Sequence, residues 1–196
     1  MNTKQAKTLA PKQETVILDS FAHTRYPTRN RVMFLLSVKA GLRAKEIAEL
    51  KWEHLLTSDG AIGDVIDLPN TASKGKHGGR VVPLNKSLKM AVLQLWNERR
   101  ELVRTDWHVI YSERNSRMSA NSVTVWFHHL YRSLGMVGCS SHSGRRTFIT
   151  RAAQGISKVG GSLRDVQSLA GHSSLANTQR YIEVNLLAKR QVVDLV

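Results

Sequence analysis

The sequence is short of cysteine and of long apolar runs. Cys139 is the single cysteine among 196 residues, so no internal disulfide can form and a reducing, cytoplasmic setting is expected. No stretch approaches the roughly 20 apolar residues that a membrane-spanning helix needs, so we expect no membrane partner. The opening residues MNTKQAKTLAPKQE contain no apolar core, which argues against a secretory signal.

Acidic residues are also scarce. The chain has 15 Asp and Glu against 29 Lys and Arg, which gives a formal net charge of +14. An excess of this size favours a polyanionic partner, with nucleic acid ahead of an anionic membrane surface. Apolar residues make up 41% of the chain, which argues against wholesale disorder. The length suits one domain with a sizeable core.

The pattern along the chain divides it into three parts. Residues 1–14 are predicted to be a basic, mobile arm, and residues 15–184 a single domain. Residues 185–196, NLLAKRQVVDLV, predict an apolar tail helix. Within the domain, periodicity and capping residues predict five helices: 15–24, Asn30 to Gly41, Leu42 to Leu50, 85–103, and Ser119 to Leu134. In the fourth of these, one apolar stripe is formed by Leu88, Val92, Leu95 and Leu102. The rest of the domain is predicted to be helical, with breaks at Gly155, Gly160, Gly161 and Gly171.

Two β-like stretches interrupt this helical pattern. Residues 62–68 and 79–84 flank the turn-rich segment NTASKGKHG, which predicts a small hairpin or a three-stranded sheet. The fold class that follows is mostly α with a small antiparallel β-sheet (α+β).

Four segments concentrate the groups that phosphoryl transfer needs. Each group alone has an ordinary structural explanation, such as a surface ion pair for an arginine or a packing role for a tyrosine. The segments are GLRAKEIAELKW with Arg43, SKGKHGGRVVPL with Lys74 and Lys76, HSGRRTFIT with His142 and Arg145, and LAGHSSLANTQRYIEV with His172 and Tyr181. In this order they closely resemble the tyrosine recombinase (phage integrase) family over roughly residues 31–184. The resemblance implies that family's catalytic-domain fold and the breakage and rejoining of DNA strands.

The resemblance places Arg43 and Arg145 in the family's two arginine positions. A DNA phosphodiester is anionic, and its pentacoordinate transition state gathers more charge on the non-bridging oxygens. Guanidiniums suit such a group because each presents a planar fork of donors and stays protonated. We therefore expect these two arginines to bind the scissile phosphate and to stabilise the developing charge.

The resemblance makes Tyr181 the nucleophile. An ordinary tyrosine has a pKa of about 10, so its hydroxyl needs help to lose a proton at neutral pH. The family pattern gives that role to His142, as a general base or through a hydrogen bond. It places His172 where the ring would donate to a phosphate oxygen and brace the site.

The departing 5′ oxygen needs a proton, which a lysine on the β-hairpin supplies in the family. Lys74 is the preferred candidate, and Lys76 is the alternative because the turn is not of the family's commonest length. No metal or other cofactor is implied, since the sequence holds no carboxylate cluster of the kind that two-metal nucleases use. The product would be a 3′-phosphotyrosyl link, which conserves the bond energy and makes ATP unnecessary.

Glu46 and Gly144 complete the set of notable positions. Glu46 follows Arg43 by three residues on a predicted helix, so contact is possible, and we expect it to orient Arg43 or a neighbour rather than to react. Gly144 stands where the family usually has leucine, and it is expected to loosen the start of its helix. The segment SKVGGS, residues 157–162, resembles an insertion that lengthens a surface loop.

These inferences predict a site-specific recombinase of the integrase or invertase type, encoded by a bacterium, a phage or another mobile element. Its partner is double-stranded DNA. The family uses four protomers in the synaptic complex, so a homotetramer is expected there, whereas the free protein can be a monomer. The tail is expected either to dock on a neighbouring protomer or to fold back on its own domain.

The sequence departs from most family members in having only a short segment before the matched region, where an N-terminal DNA-clamping domain usually stands. The basic arm, residues 1–14, is expected to substitute in part by contacting phosphates. Two alternative functions share the fold: a non-catalytic DNA-binding regulator, and a DNA-relaxing enzyme similar to type IB topoisomerases.

Overall fold

The described part of the chain forms eight α-helices and one β-hairpin. The structure is a computed structural model and describes residues 5–69, 79–114, 117–181 and 193. The helices are α1 (Pro11–Ser20), α2 (Pro27–Ala40), α3 (Ala44–Glu49), α4 (Lys86–Arg99), α5 (Ala120–Ser133), α6 (Ser143–Gly155), α7 (Leu163–Ala170) and α8 (Leu175–Gln179), and the strands are β1 (Val65–Leu68) and β2 (Arg80–Pro83). The prediction of a mostly α fold with a small antiparallel sheet is confirmed.

Helix α2 lies at the centre of the fold. It is buried on nearly all sides and packs against α4 and α6, as expected for a helix whose middle reads VMFLL. It ends at Gly41, which adopts a left-handed conformation with φ of 66° and so caps the helix. The prediction that Asn30 caps its start is wrong. The helix begins at Pro27, whose fixed φ suits a first turn, and the Asn30 amide donates to the Thr24 hydroxyl instead.

The hairpin has the predicted antiparallel pairing and, among the described residues, two strands. Val65 lies opposite Pro83, and Leu68 lies opposite Arg80. Side chains alternate between the two faces of a strand, so Arg80 shares the inward face with Val82, which is 1% exposed. The turn between the strands, residues 70–78, lies outside the described residues, and with it both candidate lysines.

Two further helices test the capping arguments. Ser119 caps α5 as predicted, because its hydroxyl accepts a hydrogen bond from the Ser122 backbone N–H at 3.0 Å. Gly135 follows α5 with a positive φ of 66°. On α4, Leu88, Val92 and Leu95 are buried, but the prediction for Leu102 is wrong: α4 ends at Arg99, and Leu102 is 63% exposed.

Helix α6 lies directly on α2 at Gly144. A Cβ at position 144 would lie 2.9 Å from the Cβ of Ser37 and 3.2 Å from its carbonyl carbon, a separation that real Cβ atoms do not tolerate without a shift of the neighbouring chain. Gly144 therefore does not simply loosen the start of α6. It allows α6 to approach α2 closely, and α6 is the helix that carries Arg145.

The N-terminal segment departs from the predicted mobile arm. Helix α1 begins at Pro11, so the predicted boundary at residue 14 falls inside it. Leu9 is 3% exposed, and its backbone N–H donates to the Thr147 hydroxyl at 2.8 Å. Arg151 donates to the Leu9 carbonyl at 2.9 Å. Leu9 is thus packed against α6, while residues 1–4 lie outside the described part.

Two apolar clusters hold these elements together. The larger one surrounds α2 and includes side chains from α1, α3, α4, α5 and both strands. The smaller one consists of Ile149, Val166 and Ala170, with Phe148 and Tyr181 packed against it. Helix α6 connects the two regions, because it lies against α2 and also carries Ile149 of the smaller cluster.

Two predictions concern the ends and surface of the chain. The predicted tail helix, residues 185–196, lies outside the described residues apart from position 193. Within the part of the chain that the structure describes, no helix is both long enough and apolar enough to cross a membrane.

Candidate active site

A pocket of about 560 Å³ gathers most of the predicted site residues. It lies where the start of α6, the end of α7 and the region after α8 meet the start of α3. Five of the predicted residues line it: Arg43, His142, Arg145, His172 and Tyr181. The sequence reasoning therefore selected residues that are far apart in the chain and adjacent in the fold.

The C-terminal end of α7 organises the arginines of this site. The last carbonyls of a helix have no partners within the helix, and they carry the negative end of its dipole. Three consecutive carbonyls each accept a hydrogen bond from a different guanidinium. The pairs are Arg80 Nε to Leu169 at 3.1 Å, Arg145 Nη2 to Ala170 at 2.6 Å, and Arg43 Nη2 to Gly171 at 3.3 Å.

Arg145 is the more deeply buried of the two predicted phosphate-binding arginines. It is 5% exposed, and its Nη1 donates to the Gly41 carbonyl at 2.5 Å. Burial, followed by the positive charge of Arg43, lowers the pKa of Arg145 to about 9. The guanidinium therefore remains protonated at pH 7, and it is fixed from two sides by main-chain oxygens.

Arg43 immediately precedes α3 and contacts Glu46 as the i, i+3 spacing predicted. Its Nη1 donates to Glu46 Oε1 at 2.9 Å. The Arg43 backbone N–H donates to Glu46 Oε2 at 2.7 Å, so the carboxylate caps the start of its own helix. The Arg43 side chain is 27% exposed, which leaves it accessible from the pocket.

Glu46 has a second partner, Arg80, which the sequence reasoning did not select as a site residue. Arg80 forms a forked contact with the carboxylate, with Nη1 to Oε1 at 2.7 Å and Nη2 to Oε2 at 2.9 Å. Burial by itself would raise the pKa of Glu46, but the hydrogen bonds and charges of Arg80 and Arg43 outweigh it and lower the pKa below the ordinary value. Glu46 is therefore an ionised carboxylate that is 1% exposed.

His172 lies directly after the left-handed residue Gly171, whose φ is 58°. Its Nδ1 lies 3.0 Å from the hydroxyl of Thr178, which is fully buried. Burial, and then the charges of Arg145, Arg43 and Arg80, lower the pKa of His172 to about 4. The ring is therefore neutral at pH 7, and the contact with Thr178 orients it.

Tyr181 follows α8 and stacks on His172. The two ring centroids are 5.8 Å apart, with an interplanar angle of 23°. The backbone N–H of Tyr181 donates to the Thr178 carbonyl at 3.0 Å, so one residue contacts both aromatic members of the site. Tyr181 is also close enough to Arg145 to act electrostatically on its guanidinium.

His142 completes the pocket at the start of α6, where it occupies the N-cap position. Arg145 follows three residues later on the same helix, so one helix end presents an imidazole and a guanidinium. Lys74 and Lys76 lie outside the described residues. The structure thus brings together five of the six predicted catalytic residues and says nothing of the sixth.

Further residues line the pocket that the sequence reasoning did not select. Arg146 follows Arg145 directly, and Arg180 precedes Tyr181. Both adjoin predicted residues, so closeness in sequence was the available signal. Thr178 does not line the pocket but contacts His172. Its sequence signal was weaker, since it lies three residues before Tyr181. Within the described ranges, no cluster of three or more His, Cys, Asp or Glu side chains is placed to hold a metal ion.

Comparison with known proteins gives a consistent result. Residues 7–187 match the sequence model of the phage integrase family. The chain is 28% identical over 171 residues to tyrosine recombinase XerC of Pelobacter propionicus, covering 86% of this chain and 52% of that protein. It is 25% identical over 171 residues to tyrosine recombinase XerA of Pyrococcus horikoshii, covering 85% and 54%. The chain spans about half the length of these curated relatives.

Solved structures show the same fold. The Tn1549 transposon integrase in complex with circular intermediate DNA superposes with a TM-score of 0.74 at 21% identity, covering 100% of this chain and 69% of that one. XerA recombinase gives 0.71 at 20% identity, covering 96% and 64%. XerH bound to its difH substrate gives 0.70 at 21% identity, covering 98% and 55%.

Proposed function

Since the chain belongs to the phage integrase family, we propose that it is the catalytic part of a site-specific tyrosine recombinase. It cleaves and rejoins DNA strands through a 3′-phosphotyrosyl intermediate. The observation that carries this proposal is the shared pocket: the phenol of Tyr181 lies with two guanidiniums and two imidazoles around one cavity. A phosphodiester placed there would meet a nucleophile and the cations that its transition state needs.

The arginines act on the phosphate. Arg43 and Arg145 are held by main-chain carbonyls and by Glu46 before any ligand binds. Fixed donors aimed at developing charge stabilise a transition state without reorganisation, and removing one such donor typically lowers a rate by about 10²–10³-fold. A scissile phosphate bound by both guanidiniums would have its phosphorus aligned with the phenol of Tyr181.

The histidines and the tyrosine complete the proton transfers. His142 takes the proton of Tyr181 as the phenolic oxygen attacks phosphorus. His172 is neutral at pH 7, and we propose the tautomer in which its Nδ1 accepts from the Thr178 hydroxyl. The other ring nitrogen, Nε2, then carries the proton and donates to a non-bridging oxygen.

The hairpin supplies the last group. Lys74, with Lys76 as the alternative, protonates the 5′ oxygen as its bond to phosphorus breaks. The product holds one phosphotyrosyl ester and one free 5′-hydroxyl, and attack by a 5′-hydroxyl reverses the step. Because the ester energy is conserved, the cycle consumes no ATP, and side-chain cations take the role that metal ions have in two-metal nucleases.

Double-stranded DNA is the proposed partner. The formal charge of +14 supports a polyanionic ligand, and the Tn1549 integrase and XerH structures contain DNA. We propose a homotetramer on two duplexes and a monomer off DNA, in the cytoplasm of a cell that carries the element. The tail, residues 185–196, is the segment proposed to dock on a neighbouring protomer or on its own domain.

The decisive experiment traps the covalent intermediate. DNA linked to the protein in cells is recovered and sequenced, and the recovered site is rebuilt as a nicked suicide duplex. The wild-type protein is expected to form an adduct that Tyr181→Phe abolishes. Tyr131→Phe is a matched control, because it removes the same hydroxyl from a buried tyrosine whose Oη has no hydrogen-bond partner among the described residues.

The outcomes separate the competing functions. DNA binding without any adduct would contradict catalysis and would favour a DNA-binding regulator. An adduct accompanied by relaxation of a supercoiled plasmid, without exchange between two sites, would favour an enzyme similar to type IB topoisomerases. Exchange between two recovered sites is the expected result.

A further inference from the structure

Arg80 has no role in the chemistry described so far, yet its side chain is held from two directions. Its two Nη atoms contact the two oxygens of Glu46, and its Nε contacts the Leu169 carbonyl. The side chain is only 9% exposed. A guanidinium can make a forked contact and a third hydrogen bond in one plane, whereas an ammonium cannot.

Glu46 depends on this contact. It is 1% exposed and has four hydrogen bonds, two from Arg80 and two from Arg43. A buried carboxylate that loses one of its cations retains an uncompensated charge. Without Arg80, the remaining cation in contact is Arg43, and the carboxylate would draw that side chain toward itself and away from the pocket.

Arg80 also lies close to Gly171, just beyond the end of α7. A Cβ at position 171 would lie 2.7 Å from Arg80 Nη1 and 3.1 Å from its Cζ. The Gly171 carbonyl accepts from Arg43 Nη2 at 3.3 Å. Arg80 therefore touches both groups that orient the Arg43 guanidinium, the carboxylate of Glu46 and the end of α7.

We propose that Arg80 is a positioning residue, which holds Glu46 and the end of α7 so that Arg43 is aimed at the phosphate. Among the described residues that line the pocket, Arg80 is absent, so it acts through Arg43 rather than on DNA. This inference rests on the proposed function, because the aim of Arg43 matters only if Arg43 binds a scissile phosphate.

The test compares cleavage with binding in Arg80→Lys and Arg80→Met. Protein in excess is mixed with the nicked suicide duplex, and the rate of adduct formation is measured in a single turnover. Because partners that orient a reactive group typically contribute 10- to 100-fold, we expect Arg80→Met to lower the rate by about 30-fold. Arg80→Lys keeps the charge that compensates Glu46 and is expected to fold, with a rate about 10-fold below wild type. The dissociation constant for the duplex should change by less than about threefold, since Arg80 does not line the pocket proposed to receive the phosphate.

Arg117→Met is the matched control. Arg117 also forms a two-bond contact with a glutamate of α3, donating to both oxygens of Glu49 at 2.9 and 3.0 Å, and it does not line the pocket. Its rate should stay within about twofold of wild type, as for a surface ion pair. If wild type and Arg117→Met form no adduct, the proposed function fails. If both form it and the Arg80 variants match them, only the role of Arg80 is overturned.

Coupling to Arg43 separates positioning from general structural damage. If Arg80 acts through Arg43, Arg80→Lys should add less than about a threefold loss in a protein that already carries Arg43→Lys, a pair of substitutions that keeps both positive charges beside Glu46. A full, independent loss in that background would overturn the proposal. The residual rate is measured over long reaction times with the same duplex.

A measurement without DNA replaces the coupling test if proteins that carry the Arg43 substitution form the adduct too slowly to measure. In protein labelled with ¹⁵N-arginine, the order parameter of the Arg43 Nε–H group reports its fast motion. It is expected to fall in Arg80→Lys and to be unchanged in Arg117→Lys. An unchanged value in Arg80→Lys would contradict the proposed role.

Discussion

The two halves of the pocket rest on cores of very different size. Arg43 and Arg145 are anchored where α3 and α6 meet the large cluster around α2. His172 and Tyr181 lie beyond α7, beside a cluster of three buried side chains, Ile149, Val166 and Ala170. Among the described residues, the half with the two arginines therefore adjoins a large core, and the half with Tyr181 adjoins a small one.

This difference suits the separate tasks that we propose for the two halves. Stabilising charge in a transition state requires donors that do not move. A nucleophile must attack, remain bonded to DNA and be displaced again, and segments with few buried contacts open at low free energy. The structure therefore places rigidity at the arginines and leaves the region of α8 the more weakly held part.

The largest expected effect is a loss of stability when one buried side chain is truncated, and this loss should differ between the two clusters. Leu36→Ala, in the middle of α2, should lower the free energy of unfolding by about 3–5 kcal/mol, because it leaves a cavity in a closely packed core. Val166→Ala should lower it by about 1–2 kcal/mol, since it removes two methyl groups from a small cluster. Urea unfolding monitored by circular dichroism measures both.

Hydrogen exchange sharpens the same comparison. Val166→Ala should speed amide exchange in α7 and α8 while the α2 amides keep their protection, whereas Leu36→Ala should reduce protection throughout the chain. A uniform loss in both variants would mean that the two clusters unfold as one unit, and the contrast between them would then be wrong.

The next effect concerns α6, which joins the two regions. Gly144→Leu restores the residue that the family usually has, but its side chain would collide with Ser37. Overpacking of this kind should lower the free energy of unfolding by about 1–3 kcal/mol. Ser37→Gly in the same protein should recover part of the loss. A Gly144→Leu protein as stable as wild type would show that α2 and α6 can separate without cost.

The smallest expected effect is a pH dependence that arises from His172. Its pKa is about 4 in the folded protein and about 6.5 in an unfolded chain. Between these values the unfolded chain binds a proton that the folded protein excludes, so stability falls as the pH drops from about 6.5 toward 4. For a partly exposed ring we expect a loss of about 1 kcal/mol between pH 7 and pH 5. His172→Gln should reduce this loss in urea titrations at the two pH values, and an unchanged loss would assign it to other groups.

Local signals in the sequence predicted much of the fold. The cap at Ser119, the stop at Gly41 and the alternation around Ile66 and Val82 each depend on neighbouring residues. Such features act over one turn or one strand, so they can be read along the chain. The prediction for Asn30 failed because Pro27 starts the helix and the Asn30 amide donates to the Thr24 hydroxyl. The prediction for Leu102 failed because α4 ends at Arg99, before the apolar stripe reaches it.

The site divides in the same way. Residues that line the pocket could be predicted by type and order, as with Arg43, His142, Arg145, His172 and Tyr181. Arg80 and Thr178 could not, because their roles depend on partners that only the fold brings near. Arg80 is separated by 34 positions from Glu46 and by 89 from Leu169, and no periodicity links them. The burial of Leu9 was missed for the same reason, since its partners Thr147 and Arg151 lie more than a hundred residues away.

The three carbonyls at the end of α7 have a consequence for redesign of this protein. They belong to the main chain, so no single side-chain replacement deletes them, and the acceptor side of the arginine cluster is insensitive to most point mutations. Helix length is a different matter. One residue inserted within α7 would turn its end by about 100° and redirect Leu169, Ala170 and Gly171 together. The arginine cluster is therefore expected to persist only in variants that keep the length of that helix.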